Sequence, residues 1–325
     1  MGWDSQRSAD RDYHDMVVFG GTAGADLADK ICAYLERPRG KATVGRFPDG
    51  EMLVKLDEDV RGKDCFIVQS TCPPVNDNLI ELLIFIDCLR RASAKRITAV
   101  IPYYGYARQD RKSEGRTPIT AKLVANMLTT AGVNRVLTMN LHADQIQGFF
   151  DIPLDHLTAA PVIAQHFQTR NLQDSVLVSP DLGNVKFGND FASRIGGELA
   201  VIDKRRISGD KAVAVRIIGD VKGKKVMMFD DMITTAGTVT EAVRLVHQHG
   251  ATEVFIGATH GVFAGPAVER LASAAITEIV VTDTIFIKDE IRQRLKNLTV
   301  LSVANLVGEA IRRIHEHRSV SALFG

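Results

Sequence analysis

The chain has 325 residues, 45% hydrophobic and 24% charged, enough for two domains with real cores and typical of a soluble globular protein. Its 40 Lys plus Arg nearly cancel 39 Asp plus Glu, for a formal net charge of +1. No global field then draws it to nucleic acid or an acidic membrane, and any phosphate site must come from a local cluster.

Residues 1–15 are polar and charged and read as an extension, neither signal peptide nor anchor. The most apolar run, Leu79 to Leu89, is broken by Glu81 and Asp87 and is too short to span a bilayer. Cys32, Cys65, Cys72 and Cys88 are scattered with no CxxC pair, which fits reduced thiols in a cytoplasmic protein. Strands are expected at Met16–Phe19, Cys65–Gln69, Ile97–Ile101, Val136–Asn140, Val176–Ser179, Val226–Phe229, Val254–Gly257 and Ile279–Thr282. Helical periodicity covers 76–91, 118–131, 237–249 and 303–317. This alternation argues for an α/β chain of mainly parallel sheets flanked by helices.

The halves resemble each other. FIVQS leads through a helix to ITAVIPYYG, and VMMFDD leads through a helix to VFIGATHG. A duplicated domain follows, with residues 16–158 as the first copy and 159–325 as the second, and only the second keeps the acidic loop. The last helix has one apolar stripe and packs on a domain, with the first as one option.

Several segments carry chemistry. Phe47-Pro48-Asp49-Gly50-Glu51 is a turn with an aromatic face and two acceptors; alone it is ordinary turn chemistry. Tyr103 to Lys112 packs aromatics, amides and cations behind a strand, where a solvated basic loop is the bland alternative. His142 ends another strand, and a single His there is more often structural. Asp181 lies at a strand end. Lys204-Arg205-Arg206 begins a polar segment between two strands, which reads as a solvated face or as a mobile loop that closes over a polyphosphate. Most informative is VMMFDDMITTAGTVT (226–240). A buried strand runs into Asp230 and Asp231, then a loop of small and hydroxyl residues feeds a helix. The loop amides can cradle a phosphate at the positive end of the helix, and the acids can take sugar hydroxyls or a divalent cation. Alternatively, the acids merely cap the helix. There is no Walker sequence and no GxGxxG.

Together FPDGE, IPYYGYARQDRK, NLHADQIQGFFDIP, VSPD, DKRR, DDMITTAGT and the closing SVSALF resemble the ribose-phosphate pyrophosphokinase (phosphoribosyl pyrophosphate synthetase) family, from about residue 16 to the C-terminus. The resemblance implies two type I phosphoribosyltransferase-like domains. It implies transfer of the β,γ-diphosphoryl group of ATP to O1 of ribose 5-phosphate, releasing AMP, with Mg²⁺ as cofactor. Phe47, Asp49, Gly50 and Glu51 would hold adenine across a subunit interface, and Arg108 and Gln109 would hold ATP within the subunit. His142 and Asp181 would organise Mg²⁺, and Lys204 and Arg206 would be the catalytic cations. Asp230 and Asp231 would bind the ribose, with Arg206 also on that substrate. Thr234, Thr235, Ala236, Gly237 and Thr238 would form the 5-phosphate loop. The implied assembly is a homo-oligomer, a hexamer built from dimers, in the cytoplasm, with no nucleic-acid or membrane partner.

Two departures stand out. Many relatives carry an acid where this chain has Thr234, which puts in doubt any general base at that position. Asp144 falls beside a regulatory phosphate site whose other parts, Arg61, Gln147, Ser319 and Ser321, are matched. A carboxylate about 4 Å from a bound anion repels it by up to ~4 kcal/mol at an effective dielectric of about 20, so weak phosphate activation is expected. The rivals are a phosphoribosyltransferase, which has no use for FPDGE, YARQD and the KRR segment, and a non-catalytic regulatory subunit, which typically loses residues that stand here.

Overall fold

The computed structural model describes residues 15–170, 172, 175–180, 191–192, 194–207 and 212–323, with backbone alone for 203–207 and 212–215. Contacts divide the chain into two units. One takes the residues up to Leu157, Thr284–Phe286 and the segment from Ser302 onward; the other takes Thr158–Asp283 and Ile287–Leu301.

The first unit runs β1 (Met16–Gly20), α1 (Ala25–Tyr34), β2 (Ala42–Arg46), β3 (Met52–Leu56), β4 (Asp64–Val68), α2 (Val75–Arg91), β5 (Arg96–Ile101), α3 (Thr120–Ala131), β6 (Arg135–Met139) and β7 (Leu154–Leu157). Strands β1, β4, β5, β6 and β7 lie side by side in chain order, all parallel. Every residue of β4 is buried, as expected of a parallel strand covered on both faces. The core gathers Phe19, Ile67, Leu82, Phe85 and Ile86. The β2–β3 hairpin forms its own two-stranded sheet.

The second unit repeats the plan. It runs α4 (Ala160–Gln168), β8 (Ser175–Ser179), β9 (Glu198–Ile207), β10 (Ala212–Ile218), β11 (Lys225–Ile233), α5 (Gly237–Gln248), β12 (Glu253–Gly261), α6 (Ala267–Ser273), β13 (Glu278–Thr282), α7 (Asp289–Arg294) and β14 (Leu298–Leu301). Again five parallel strands, β8, β11, β12, β13 and β14, stand in chain order. Here the hairpin joins the sheet: β9 pairs parallel with β8, and β10 pairs antiparallel with β9. The chain thus leaves β8 toward one side and returns as β11 on the other, which creates a topological switch point. Each expected strand is present, but β11 runs past Phe229 and through both acids, because its ladder with β12 continues to Ile233↔Gly261.

The last helix, α8 (Ala304–His315), belongs to the first unit. Its stripe of Val307, Ala310, Ile311 and Ile314 is buried, each large side chain contributing about 1.5–3 kcal/mol. Gly308 lets it come close, since a Cβ there would sit 2.6 Å from Tyr34 Cδ1. Arg312 lies 5.0 Å over the Tyr34 ring, and the Tyr34 hydroxyl donates to Glu309 at 3.1 Å. Burial pushes the Cys32 and Cys72 thiols to about 11 and Cys65 to about 12. These free cysteines are neutral packing groups. Among the described residues no helix is long and apolar enough to cross a membrane.

Asp64 ties α8 to the sheet. Arg96 donates to both of its oxygens, through Nε at 2.8 Å and through Nη2, while Arg96 Nη2 also reaches Ile314 O at 3.1 Å. His315 Nδ1 lies 2.8 Å from Asp64 Oδ2. Burial alone would raise the carboxyl, but the His315 and Arg96 hydrogen bonds outweigh it and hold it below its usual value. Removing a buried partner of this kind costs about 3–5 kcal/mol, so Asp64→Ala is expected to lose that much at pH 7. The folded group titrates below the unfolded value of about 3.9, so its contribution is present above that pH and fades as pH falls through the folded pKa. Denaturant unfolding at pH 7 and near pH 3 checks this. The gap between wild type and variant should narrow on acidification, and a gap independent of pH would contradict it.

Candidate functional site

In the second unit the sheet opens where the acids stand. The ladder of β11 with β8 stops at Met227, whereas that with β12 continues six residues further, to Ile233. Among the described residues the β8 pairing ends there, so Asp230 and Asp231 lie near the carboxyl end of β11, at the switch point, where open α/β sheets bind ligands. Both are half-buried, and Asp231 N–H donates to Asp230 Oδ1 at 2.8 Å. Phe229, just before them, is held firmly. Phe191 stacks on it at 3.8 Å, Phe167 meets it edge-on at 5.5 Å, and Gly257 leaves room for its ring.

The loop after β11 has a distinct pattern of hydrogen bonds. Ile233 O accepts from Val262 and Phe263 N–H, and Thr234 O from Ala264 N–H. Thr235 O accepts from Arg270 Nη1 at 3.0 Å. Ala236 O accepts from the N–H and hydroxyl of Thr240, and Gly237 O from that hydroxyl at 3.2 Å. Five consecutive carbonyls are thus engaged by the protein. In a trans peptide the N–H points opposite to its carbonyl, so the N–H groups of residues 234–238 face away from those partners. Ala236 completes the turn at φ 59°, and no side chain caps α5. The first-turn amides of a helix have no intrahelical acceptor, so this end offers an anion a row of donors and the positive end of a dipole. The hydroxyls of Thr234, Thr235 and Thr238 flank it, with Thr235 and Thr238 exposed.

Lys204 and Arg206 were expected on a flexible segment. Their backbone lies instead inside β9, opposite Val215 and Val213, because β10 pairs with it along its length. Asp181 lies outside the described residues.

The other expected residues sit on the first unit. Phe47 tops the β2–β3 hairpin, 48% exposed. Gly50, at φ 96°, makes the turn possible. Asp49 Oδ1 accepts Glu51 N–H at 3.1 Å, and Arg46 anchors the hairpin to Asp77 at 2.7 Å. Arg108 and Gln109 are exposed beyond β5, in a loop held by Gln109 N–H on Tyr106 O and by the buried Tyr104 hydroxyl on Ala121 O at 3.0 Å. His142 is exposed after β6. Sequence reasoning missed its support: His156, on β7, accepts Leu141 N–H through Nε2 at 2.9 Å. Burial lowers the His156 pKa, opposed by Asp144, whose Oδ1 is 3.9 Å from Nδ1, so the ring is neutral and can accept. Gln147 bonds back to Asp144 O, and Ser319 and Ser321 share a hydrogen bond of 2.8 Å. Arg61 is exposed.

A cavity of about 460 Å³ lies at the opposite, amino-terminal edge of the second unit's sheet, lined by Arg170, Lys225, Glu253, Glu278 and Lys296. Its charges are largely paired already, Lys225 with Glu253 and Arg170 with Glu278, each at 3.1 Å. The row of loop amides between β11 and α5, beside the two acids, is the better-equipped site.

Comparison with known proteins points the same way. Residues 16–132 match the N-terminal domain of ribose phosphate pyrophosphokinase, and residues 205–325 match the phosphoribosyl synthetase-associated domain. The chain is 58% identical to a ribose-phosphate pyrophosphokinase of Rhodopirellula baltica, covering 95% of this chain and 98% of that one. It is 50% identical to ribose-phosphate pyrophosphokinase 1 of Spinacia oleracea, covering 98% and 95%. Among solved structures, phosphoribosylpyrophosphate synthetase from Mycobacterium smegmatis superposes with a TM-score of 0.88 at 44% identity, covering 93% of this chain and 99% of that one.

Proposed function

The chain belongs to the ribose-phosphate pyrophosphokinase family and transfers the diphosphoryl group of ATP to O1 of ribose 5-phosphate, and we propose that it does so on the β11–α5 loop. The observation that carries this is the row of amides at 234–238, facing away from five engaged carbonyls, beside two half-buried carboxylates. The 5-phosphate takes the amides and threonine hydroxyls, and Asp230 and Asp231 accept from the ribose hydroxyls. Attack of O1 on the β-phosphorus of ATP then breaks the bond to the α-phosphate, and AMP leaves. This chemistry needs in-line placement and neutralised charge more than covalent help.

Lys204 and Arg206 supply that charge, with Arg206 also reaching the sugar phosphate. Arg108 and Gln109 hold ATP, while Phe47 and the Asp49–Glu51 turn receive adenine from a neighbouring subunit. The exposed Phe47 on a braced hairpin supports that last assignment, and with it a homo-oligomer, a hexamer built from dimers. Mg²⁺ would be held mainly by substrate phosphates, with His142 and Asp181 organising it. Among the described residues no three-ligand cluster exists, which fits an ion that keeps its waters and uses few protein ligands. Bound there, Mg²⁺ neutralises phosphate charge. Asp144 on the regulatory loop weakens activation by inorganic phosphate. Free, high-pKa cysteines suit a reducing cytoplasm.

The direct test is AMP release that depends on ribose 5-phosphate. Lys204→Ala should lower kcat by roughly 10³–10⁵-fold while the KM for ATP moves only a few-fold, since a transition-state cation adds little to ground-state binding. Turnover within tenfold of wild type would remove Lys204 from this role. Assembly has its own test. Mixing inactive Asp49→Ala/Glu51→Ala subunits with inactive Arg108→Ala subunits should restore some activity on exchange. Proven exchange with no recovery would mean that each chain builds its site alone.

A further inference from the structure

We propose that Arg270, on α6, is a positioning residue for ribose 5-phosphate, fixing the Thr235–Ala236 peptide and adding positive charge beside the phosphate loop. This rests on the reading of that loop as the 5-phosphate site. Four of the five engaged carbonyls between Ile233 and Gly237 are held by backbone N–H groups or by Thr240. Thr235 O is held by a charged side chain 35 residues along the chain, at 3.0 Å.

That carbonyl is also the one whose orientation is hardest to keep. The next residue, Ala236, adopts φ 59°, a region that non-glycine residues populate sparsely. Were the Thr235 carbonyl released, rotation of the Thr235–Ala236 peptide would relieve Ala236. It would also turn a carbonyl toward the phosphate in place of the Ala236 N–H, converting a donor into a repulsive acceptor. Arg270 opposes that rotation.

The same Nη1 lies 3.3 Å from where a Cβ on Gly237 would stand, so the guanidinium runs along the loop from residue 235 to residue 237, and glycine keeps the approach open. A guanidinium has five N–H donors and keeps its charge at all ordinary pH values. After the bond to Thr235 it still presents a cation at the helix end, where Thr234 adds no opposing negative charge.

The test is steady-state kinetics on the whole enzyme with Arg270→Ala, Arg270→Gln and Arg270→Lys, with thermal midpoints as folding controls. Arg270→Ala should raise the KM for ribose 5-phosphate about tenfold or more, as for a lost charge-assisted contact, with the KM for ATP within about threefold. Arg270→Lys should recover part of the loss and Arg270→Gln less. Raising ionic strength should weaken ribose 5-phosphate more in wild type than in Arg270→Ala. A KM for ribose 5-phosphate within twofold of wild type in Arg270→Ala, or equal rises for both substrates, would overturn the proposal. Should the alanine variant not fold, Lys against Gln decides it: no difference between them rules out the charge. Wild-type AMP release that ignores ribose 5-phosphate would instead refute the loop assignment itself.

Discussion

A peptide group whose carbonyl is held by a partner on one side presents its N–H on the other, because the two point in opposite directions. Much of the second unit serves that constraint at residues 233–237. The turn after β12 supplies the amides of Val262, Phe263 and Ala264, α5 supplies Thr240, and α6 supplies Arg270. Each lies on an element placed by the parallel sheet. The acids share this foundation: the β11–β12 ladder that carries Asp230 continues straight into the loop, and the clamp on Phe229 fixes where both begin.

The first unit shows what happens when the constraint is lifted. Its β4–α2 connection occupies the same place in the strand order, yet Gln69 and Ser70 follow the strand there. Gln69 is fully buried, accepting Ala23 N–H at 3.0 Å, and the Ser70 hydroxyl donates to Thr284 O. Pro73 and Pro74 stand where α2 begins, and proline has no N–H to offer. Nearby, the buried Glu81 carboxylate takes the Thr22 amide and hydroxyl, so the protein's own anion satisfies a glycine-rich turn. The two units share the scaffold, and in the first these residues fill the corresponding place with the protein's own groups.

Much of this was legible in the sequence for physical reasons. Parallel strands buried on both faces read as continuous apolar runs, so β4, β6 and β8 were placed to within a residue or two, and DDMITTAGT marked the loop. What escaped depends on partners distant in sequence. The extension of β11 through Asp230 to Ile233 is set by β12, and the inclusion of Lys204 and Arg206 in β9 by pairing with β10. Short elements such as α1, β7 and β14 carry too few periodic residues to declare themselves. Arg270 and His156 act on backbone atoms 35 and 15 residues away, and no local pattern announces such a contact.

The most direct measurement is a crystal structure of the protein with ribose 5-phosphate. The account predicts phosphate oxygens at hydrogen-bond distance, about 2.7–3.1 Å, from amides within 234–238, the Thr235 carbonyl still on Arg270, and ribose hydroxyls on Asp230 and Asp231. A sugar phosphate seated elsewhere, with the loop amides facing solvent or turned to other partners, would contradict it.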